Sequence, residues 1–307
     1  MPILKPLVIL LSTMLFSHAV FGQELNLGFK LAAGETYFYS MQSASHIEQE
    51  INGQQTEMMV KISGRIAFKV VDFTDSVYNM SVTYQQLAMS MRLPGTELSF
   101  DSEKKDASDL FSRILAAMLN KPFEISMTKQ GKITAVRNLT QAFEQVFAEF
   151  PDLPVQQKGQ LKSQLLQAYG EKAFVGSFES VTAIYPRTAV KKGSTWQVTT
   201  ALETGVAAIQ TITYQLKDQT GEKIIIVGSG TMQTLDKDAY IPINGQPTRY
   251  DLSGTINSQI TVDANTGWIV EGKTTQSFGG NVEIKDDAGR TTIFPMSLLT
   301  EYICSTK

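Results

Sequence analysis

The residues that could perform acid–base, nucleophilic or metal chemistry are few. His46 is the only histidine after residue 22, so a serine or cysteine triad would need it as the base. No Gly-x-Ser-x-Gly segment, which forms the nucleophile elbow of many hydrolases, accompanies it. Beyond residue 22 the chain also lacks the second histidine that many metal sites require. We therefore expect His46 to be a surface residue on a strand, without a catalytic or metal-binding role.

Two groups of acidic residues offer weaker alternatives. The segment Asp263-Ala264-Asn265-Thr266-Gly267 places oxygen atoms at alternate positions, as calcium loops do, but Glu271 comes at the ninth position of such a loop instead of the twelfth. Asp and Asn before Gly are also ordinary turn residues, so we expect a turn. Asp236 and Asp238 are the carboxylates that an enzyme would use, which is the least favoured function. The sequence therefore predicts no catalytic residue, no cofactor and no metal.

Two further short motifs lack the surroundings that their chemistry would need. Gly228-Ser229-Gly230 is not followed by the predicted helix that a phosphate-binding loop requires. Cys304 is the only cysteine, and one thiol can form neither an internal disulfide nor a zinc cluster. We expect Cys304 to be a buried packing residue, with intermolecular pairing as the alternative.

Five methionines fall on predicted strands of the first half of the chain, and several of them lie on the apolar faces of these strands: Met58, Met80, Met89, Met91 and Met127. Flexible thioether side chains suit an adaptable apolar pocket. We therefore predict that these methionines line a site for an apolar ligand. The alternative is that they fill the core against the helices.

Long strands would position these side chains. From Tyr250 to Asp263 the apolar residues fall on even positions and the polar residues on odd ones, which is typical of a strand with one buried face. At roughly 3.3 Å per residue this strand would be about 45 Å long. Residues 58–70 repeat the pattern, and the Asn-Gly pair before each segment predicts a hairpin turn. The similarity favours either an internal duplication or two hairpins with independently similar turns. Gly64 and Gly254 lie on the apolar faces, where close approach or a sharp bend would require glycine.

Two local signals predict departures from regular structure. The alternation slips by one residue at Gln85-Gln86, which predicts a β-bulge and therefore a bend in the sheet. Asn138 and Gln141 are spaced like the two members of a helix capping box.

The middle of the chain is predicted to be helical, because apolar residues recur at helical spacing through residues 138–183. Such amphipathic helices need an apolar partner, which the strands provide. We therefore predict an α+β fold, in which a long, strongly curved antiparallel sheet, or half-barrel, is wrapped around a central helical segment. The alternative is two β-rich lobes joined by helices. One β-rich domain would span residues 23–307, with strand-rich halves at about 23–137 and 184–307.

Composition and the first residues indicate a folded, exported protein. The 307 residues are 19% charged and 42% hydrophobic with a net charge of −3, which suits a globular chain and excludes a strongly basic surface for nucleic acid. Residues 1–22 combine Lys5 with an apolar run, as a signal peptide does, and we expect cleavage after Gly22. The run is too short to remain as a transmembrane segment. Without disulfides, the chain fits a bacterial periplasm or an extracellular location better than a eukaryotic secretory route.

Three segments carry a resemblance to a known family. They are Gly34-Glu35-Thr36-Tyr37, the segment from Tyr185-Pro186 through Val190 to Gly193-Ser194-Thr195-Trp196, and Thr266-Gly267-Trp268. They resemble a family of uncharacterised secreted bacterial proteins, a domain of unknown function, over nearly the whole mature chain. This resemblance implies no activity and gives no residue a catalytic role. The predicted architecture also resembles, by pattern alone, the half-barrel of Lol-type periplasmic lipoprotein carriers.

These observations favour a non-enzymatic envelope protein that binds an apolar or amphipathic ligand, such as a lipid, between sheet and helices. The alternative is a structural or protein-interaction module of the envelope, with a filled core and a partner that the sequence does not identify. A cavity of roughly several hundred Å³ would favour the first function, and a dry, packed core would favour the second.

Overall fold

The computed structural model describes residues 24–51, 53–204, 206–243, 245–286 and 288–306. The predicted signal peptide and its cleavage point lie outside the described residues. The strands are β1 (Thr36–Ile51), β2 (Gln54–Thr74), β3 (Val77–Leu93), β4 (Thr96–Asp101), β5 (Phe123–Thr128), β6 (Ile133–Arg137), β7 (Thr195–Thr204), β8 (Val206–Thr220), β9 (Lys223–Thr234), β10 (Ile241–Ile243), β11 (Gln246–Asp263), β12 (Ile269–Lys285) and β13 (Thr291–Ser305). The helices are α1 (Leu110–Met118), α2 (Leu139–Ala148), α3 (Val155–Tyr169) and α4 (Glu171–Thr182).

The strands of the described chain form one 13-stranded antiparallel sheet. Its order is β6-β5-β3-β2-β1-β13-β12-β11-β9-β8-β7, with β4 paired to β3 and β10 paired to β11. The two strand-rich halves of the chain meet where β1 pairs with β13, for example at Ser43 opposite Tyr302. Over the described residues the sheet is not closed, because β6 and β7 are its two edges. The alternative prediction of two β-rich lobes is therefore wrong.

The predicted α+β fold with a central helical segment is also wrong, because the described chain is mostly strand and its few helices are peripheral. Helix α4 packs along β7 and also contacts β6, the two edge strands, whereas α1 contacts β3 and β4. The physical reason is that the helices are much shorter than the strands. Helix α4 has 12 residues and is about 18 Å long, whereas β2 has 21 residues and extends about 70 Å. Helices of this size cover only part of the apolar faces, and their sequence pattern does not indicate which part.

One face of the sheet, here called the inner face, carries the core around Tyr39 and Phe68. Both side chains are buried. Phe178 of α4 stacks on Phe68 with ring centroids 4.6 Å apart, and it meets Tyr39 edge-on. Phe174, one turn earlier, meets Phe123 of β5 edge-on. Because α4 contacts both edge strands and also β1 and β2, the sheet must curl, which makes the inner face concave.

The segments that carry the family resemblance converge at one end of the sheet. The rings of Tyr37 and Trp268 lie 5.1 Å apart. The hydroxyl of Tyr185 donates a hydrogen bond to the carbonyl of Gly267, and Trp196 Nε1 donates to the carbonyl of Ile184 at 2.8 Å. These residues therefore fix the fold where the first strand, the helices and the last strands meet, which is a structural role.

The two predicted irregularities have different outcomes. The β-bulge is confirmed, because Arg65 lies opposite Gln86 while Ile66 lies opposite Tyr84, which leaves Gln85 as the extra residue of β3. The capping box is wrong, because the side chain of Asn138 makes no cap hydrogen bond to α2. Asn138 has a left-handed backbone with φ of 64°. Asparagine tolerates this conformation better than most other residues do.

Candidate functional site

The inner face continues beyond the core as an apolar surface that is only partly buried, here called the distal inner face. It is formed by Ile47, Met58, Val60, Ile62, Met89, Met91, Leu252 and Met296. Met58 lies directly opposite Ile47 of β1. The next two inner-face positions of β2 lie opposite Met91 and Met89 of β3. Strand register thus gathers these side chains into one apolar surface outside the packed core.

The five methionines that the sequence singles out divide between two environments. Met80 and Met127 are fully buried in the core, with exposures of 1% and 0%. Met58, Met89 and Met91 lie on the distal inner face and keep partial exposure. Alternation along the strands predicts which side of each strand is apolar, but it does not show where that side emerges from beneath the helices. For the same reason it did not single out the other members of the surface.

A cavity of about 70 Å³ opens on the inner face between the end of α4 and strands β8, β11, β12 and β13. Ser180 and Val181 of α4 form one wall. Its polar lining on the strands includes Gln210, Tyr214, Ser258, Thr274, Gln276, Thr300 and Tyr302. No sequence pattern indicates this group, because its members come from strands that are distant along the chain and meet only through the sheet order.

The ionisable groups beside this cavity are held in their neutral forms. Burial raises the pKa of Tyr302, and the neighbouring Cys304 adds to that shift. Burial also raises the pKa of Cys304 to about 11, although a hydrogen bond with Tyr39 acts in the opposite direction. Tyr39 and Tyr302 share a hydrogen bond between their hydroxyls. Cys304 is buried and free, and the lining residues of the cavity include no Asp, Glu, Lys or Arg.

A second concavity, a groove of about 460 Å³, crosses β13, β1, β2, β3 and β4 mainly on the outer face. Its floor contains small side chains such as Ala44, Ser63 and Ser90. Lys61 and Glu301 lie among the charged residues that border it. Ile62 and Met89 also line this groove, which therefore combines apolar side chains with small, polar and charged groups.

His46 lies on the outer face of β1, where it is part of a possible metal-binding group. One ligand atom from each of His46, Glu48 and Glu57 lies within 4.8 Å of the others, and His46 Nε2 is 3.7 Å from a carboxylate oxygen of Glu57. Glu57 is directly opposite Glu48 in the strand register. Sequence spacing alone did not place Glu57 beside His46, because their proximity depends on the register of the hairpin. All three side chains are solvent-accessible, so the group would hold a cation weakly.

The acidic residues considered for calcium or catalysis serve as turn and packing groups. Asp263 accepts hydrogen bonds from the backbone of Asn265 and from both the backbone and hydroxyl of Thr266. Partial burial would raise the pKa of Asp263, but these hydrogen bonds lower it. Asp236 is exposed and accepts from the backbone of Asp238 in a turn. The structure therefore contains the predicted turn at Asp263.

Sequence comparison supplies the family. Residues 75–269 match the model of a family of unknown function, DUF6263. This chain belongs to the DUF6263 family. The predicted membership of an uncharacterised family is therefore confirmed, and the DUF6263 match includes the segment from Tyr185 to Trp196. No curated protein matches this DUF6263 member.

Solved structures similar to this DUF6263 protein are outer-membrane proteins, at very low similarity. The outer membrane protein OprG from Pseudomonas aeruginosa is 6% identical with a TM-score of 0.26, over 90% of this chain and 98% of that one. The COG4313 outer membrane channel from Pseudomonas putida F1 is 7% identical with a TM-score of 0.22, over 90% and 97%. OmpT from Vibrio cholerae is 14% identical with a TM-score of 0.18, over 89% and 100%. Similarity at these scores carries no argument about fold or function. Among the described residues, none of the helices has the length and apolar character to cross a membrane.

Proposed function

We propose that this protein is a non-enzymatic envelope protein that binds an apolar or amphipathic ligand along the distal inner face. The observation that carries the proposal is the apolar surface formed around Met58, Met89 and Met91, which continues the inner face beyond the packed core. Burial of apolar surface contributes about 25 cal/mol per Å². A ligand that covered roughly 200 Å² of this surface would therefore gain about 5 kcal/mol before the cost of association.

The composition of the surface supports an elongated ligand with variable shape. Thioether side chains are unbranched and polarisable, so they adapt to different apolar shapes. The cavity beneath α4 is only about 70 Å³, which is too small to enclose a lipid. The ligand would therefore lie along the open, concave face of the sheet instead of inside a closed pocket.

A non-enzymatic role is supported by the environment of the acidic residues. Glu179, whose pKa burial raises, accepts a hydrogen bond from the backbone of Ile133 at 2.7 Å and so attaches α4 to an edge strand. Acid–base catalysis of the carboxylate type needs a second group with an opposed pKa in the same cleft. The inner cavity contains no carboxylate in its lining.

An envelope location rests on the pattern of residues 1–22. Expression of the full chain in a bacterium, followed by intact-mass analysis of the exported protein, should give a chain that begins at Gln23. A mature protein that retains the apolar run from Leu7 to Phe16 would contradict this location and would indicate a membrane anchor.

The ligand proposal is tested by native mass spectrometry of protein purified from a bacterial envelope without detergent. Bound lipid should be detected and should be released by denaturation. Replacement of Met58 and Met91 together by glutamine should reduce the lipid-bound fraction, because polar groups would be buried against an acyl chain. Met59 provides a matched control: it is adjacent to Met58 on β2 but lies on the opposite face, 36% exposed. Met59→Gln should retain the lipid.

The alternative of a structural or interaction module is favoured by the filled core near Phe68 and Phe178. If native and denatured samples have the same mass, and a fluorescent fatty-acid probe fails to bind, the ligand proposal is wrong. The protein would then be a packed interaction module, and the partner would have to be sought on its surface.

A further inference from the structure

A buried polar atom of the inner cavity has no protein partner. The hydroxyl oxygen of Ser258 is buried and makes no hydrogen bond within the described chain. The side chain of Gln210 is 3% exposed. Buried polar groups in native proteins are almost always hydrogen-bonded, so an exception indicates an additional group that satisfies them. Both side chains line the same cavity, beside the end of α4.

Glycine residues keep this space open. A Cβ atom at position 228 would lie 2.6 Å from the hydroxyl of Ser258, and one at position 272 would lie 2.8 Å from Cys304 Sγ. Gly228 lies opposite Ser258 in the pairing of β9 with β11. The Gly228-Ser229-Gly230 segment lacks the following helix of a phosphate loop. Here its role is to leave space on the inner face. Its first glycine removes the side chain that would crowd the buried hydroxyl of Ser258.

The cavity suits an uncharged group that both donates and accepts hydrogen bonds. The amide of Gln210 offers both kinds of atom, as do the hydroxyls of Ser258 and Thr274. No charged side chain lines the cavity, so an ionic group would lose its hydration without gaining a counter-ion. One water needs roughly 10–15 Å³ of cavity volume, and the 70 Å³ present therefore admits a few waters or a group of a few non-hydrogen atoms.

Strand register connects the cavity to the distal inner face. Thr300, which lines the cavity, lies opposite Ser45 of β1, and Ser45 lies opposite Val60 of the distal inner face. Neighbouring strands are about 4.8 Å apart, so Val60 is roughly 10 Å from Thr300 along this row. A polar group in the cavity could therefore carry an apolar chain that lies along the distal inner face.

We propose that the cavity between Gln210 and Ser258 receives the uncharged, hydroxyl- or amide-bearing head group of the amphiphile bound along the distal inner face. This inference rests on the proposed function, since it names the class of ligand that the apolar surface binds. It predicts that the protein discriminates between amphiphiles that have the same acyl chain but different head groups. Only a neutral head group can enter the cavity without leaving a charge unpaired.

The test compares two probes with the same acyl chain by isothermal titration calorimetry on the mature protein. Monoolein has a neutral glycerol head group, whereas oleate at pH 8 has a charged carboxylate. Monoolein should bind at least about tenfold more tightly, the effect of roughly one well-formed buried hydrogen bond. Gln210→Leu and Ser258→Ala should each weaken monoolein binding and leave oleate binding nearly unchanged. Ser258→Ala removes one oxygen atom only, so it keeps the test available if Gln210→Leu does not fold.

Gln259 supplies the matched control, because it is adjacent to Ser258 on β11 but exposed on the outer face. Gln259→Leu should change neither affinity. Equal binding of the two probes, unaffected by Gln210→Leu or Ser258→Ala, would overturn the head-group inference, leave the proposed function standing and assign the cavity to water. Failure of both probes to bind would overturn the proposed function itself.

Discussion

The ring of Phe278 occupies the space beside Gly254 where any other residue would place its side chain. The two residues lie opposite each other in the pairing of β11 with β12. A Cβ atom at position 254 would lie 2.5 Å from Cδ1 of Phe278, and it would meet the carbonyl oxygen of Ser277 at still shorter range. Phe278 is 5% exposed. The packing of this aromatic side chain against the sheet therefore depends on the absence of a side chain across the strand.

Gly254→Ala should lower the free energy of unfolding by about 1–3 kcal/mol, because the new methyl group displaces backbone as well as the ring of Phe278. Urea denaturation followed by tryptophan fluorescence measures the difference. Gly64→Ala is the matched control on β2. A Cβ there would be 3.2 Å from the carbonyl oxygen of Gln86 and 3.6 Å from a methyl group of Leu87, so the change should be smaller than at Gly254. A stabilised Gly254→Ala variant would contradict the close packing that the structure shows.

Tyr185→Phe should destabilise the protein by about 1–3 kcal/mol. Its buried hydroxyl donates a hydrogen bond to the carbonyl of Gly267, and the variant would leave that acceptor without its partner. Tyr250→Phe is the control, since Tyr250 is only partly buried, and it should change stability by less than about 0.5 kcal/mol. Thermal unfolding followed by circular dichroism compares the stability of the two variants. Equal destabilisation would mean that the Tyr185 hydrogen bond does not contribute specifically to stability.

Local features of the strands could be predicted from the sequence, because they depend on near neighbours. The bulge at Gln85 follows from a slip in alternation that is visible within a few residues. The buried faces of β2 and β11 follow from a period of two. In each case the residues themselves determine which side of the strand is apolar.

Features that depend on distant pairing could not be predicted in the same way. The cavity beside Gln210 and Ser258 requires the order β8-β9-β11, and the group at His46 requires Glu57 to lie opposite Glu48. The predicted position of α4 was wrong for a related reason. Its apolar stripe shows that the helix packs against another apolar surface, but not that its partners include the two edge strands of the sheet. Amphipathic periodicity carries no information about the identity of a partner surface.

The thiol of Cys304 should be unreactive in the folded protein. It is buried, and burial raises its pKa to about 11, so very little of the nucleophilic thiolate exists at pH 8. Reaction with a disulfide reagent at pH 8 should be slow in native protein and rapid in 6 M urea. Fast native labelling, or a covalent dimer that a reductant separates, would contradict the buried packing role and would favour intermolecular pairing instead.

The attachment of α4 to the edge strand β6 depends on the buried carboxylate of Glu179. Burial raises its pKa, although the hydrogen bond from Ile133 and the charge of Lys132 act in the opposite direction. Because the folded state holds this proton more tightly than the unfolded state, stability contributed by the group is fully present below the ordinary carboxyl pKa. As the pH rises above that value, the unfolded chain releases the proton first, and this contribution is lost.

Glu179→Gln should therefore change the pH dependence of stability in a defined direction. Glutamine keeps an oxygen that accepts from the backbone N–H of Ile133 and has no charge to bury. Urea denaturation at a series of pH values should find the variant more stable than the parent at pH 7, with a difference that shrinks as the pH falls toward about 4.5, the ordinary pKa of the carboxyl group, and nearly disappears below it. Glu50→Gln, at an exposed strand position, should show no comparable difference. A variant that is less stable than the parent at pH 7 would mean that the charge of Glu179 stabilises the contact between α4 and β6, contrary to the effect of its burial.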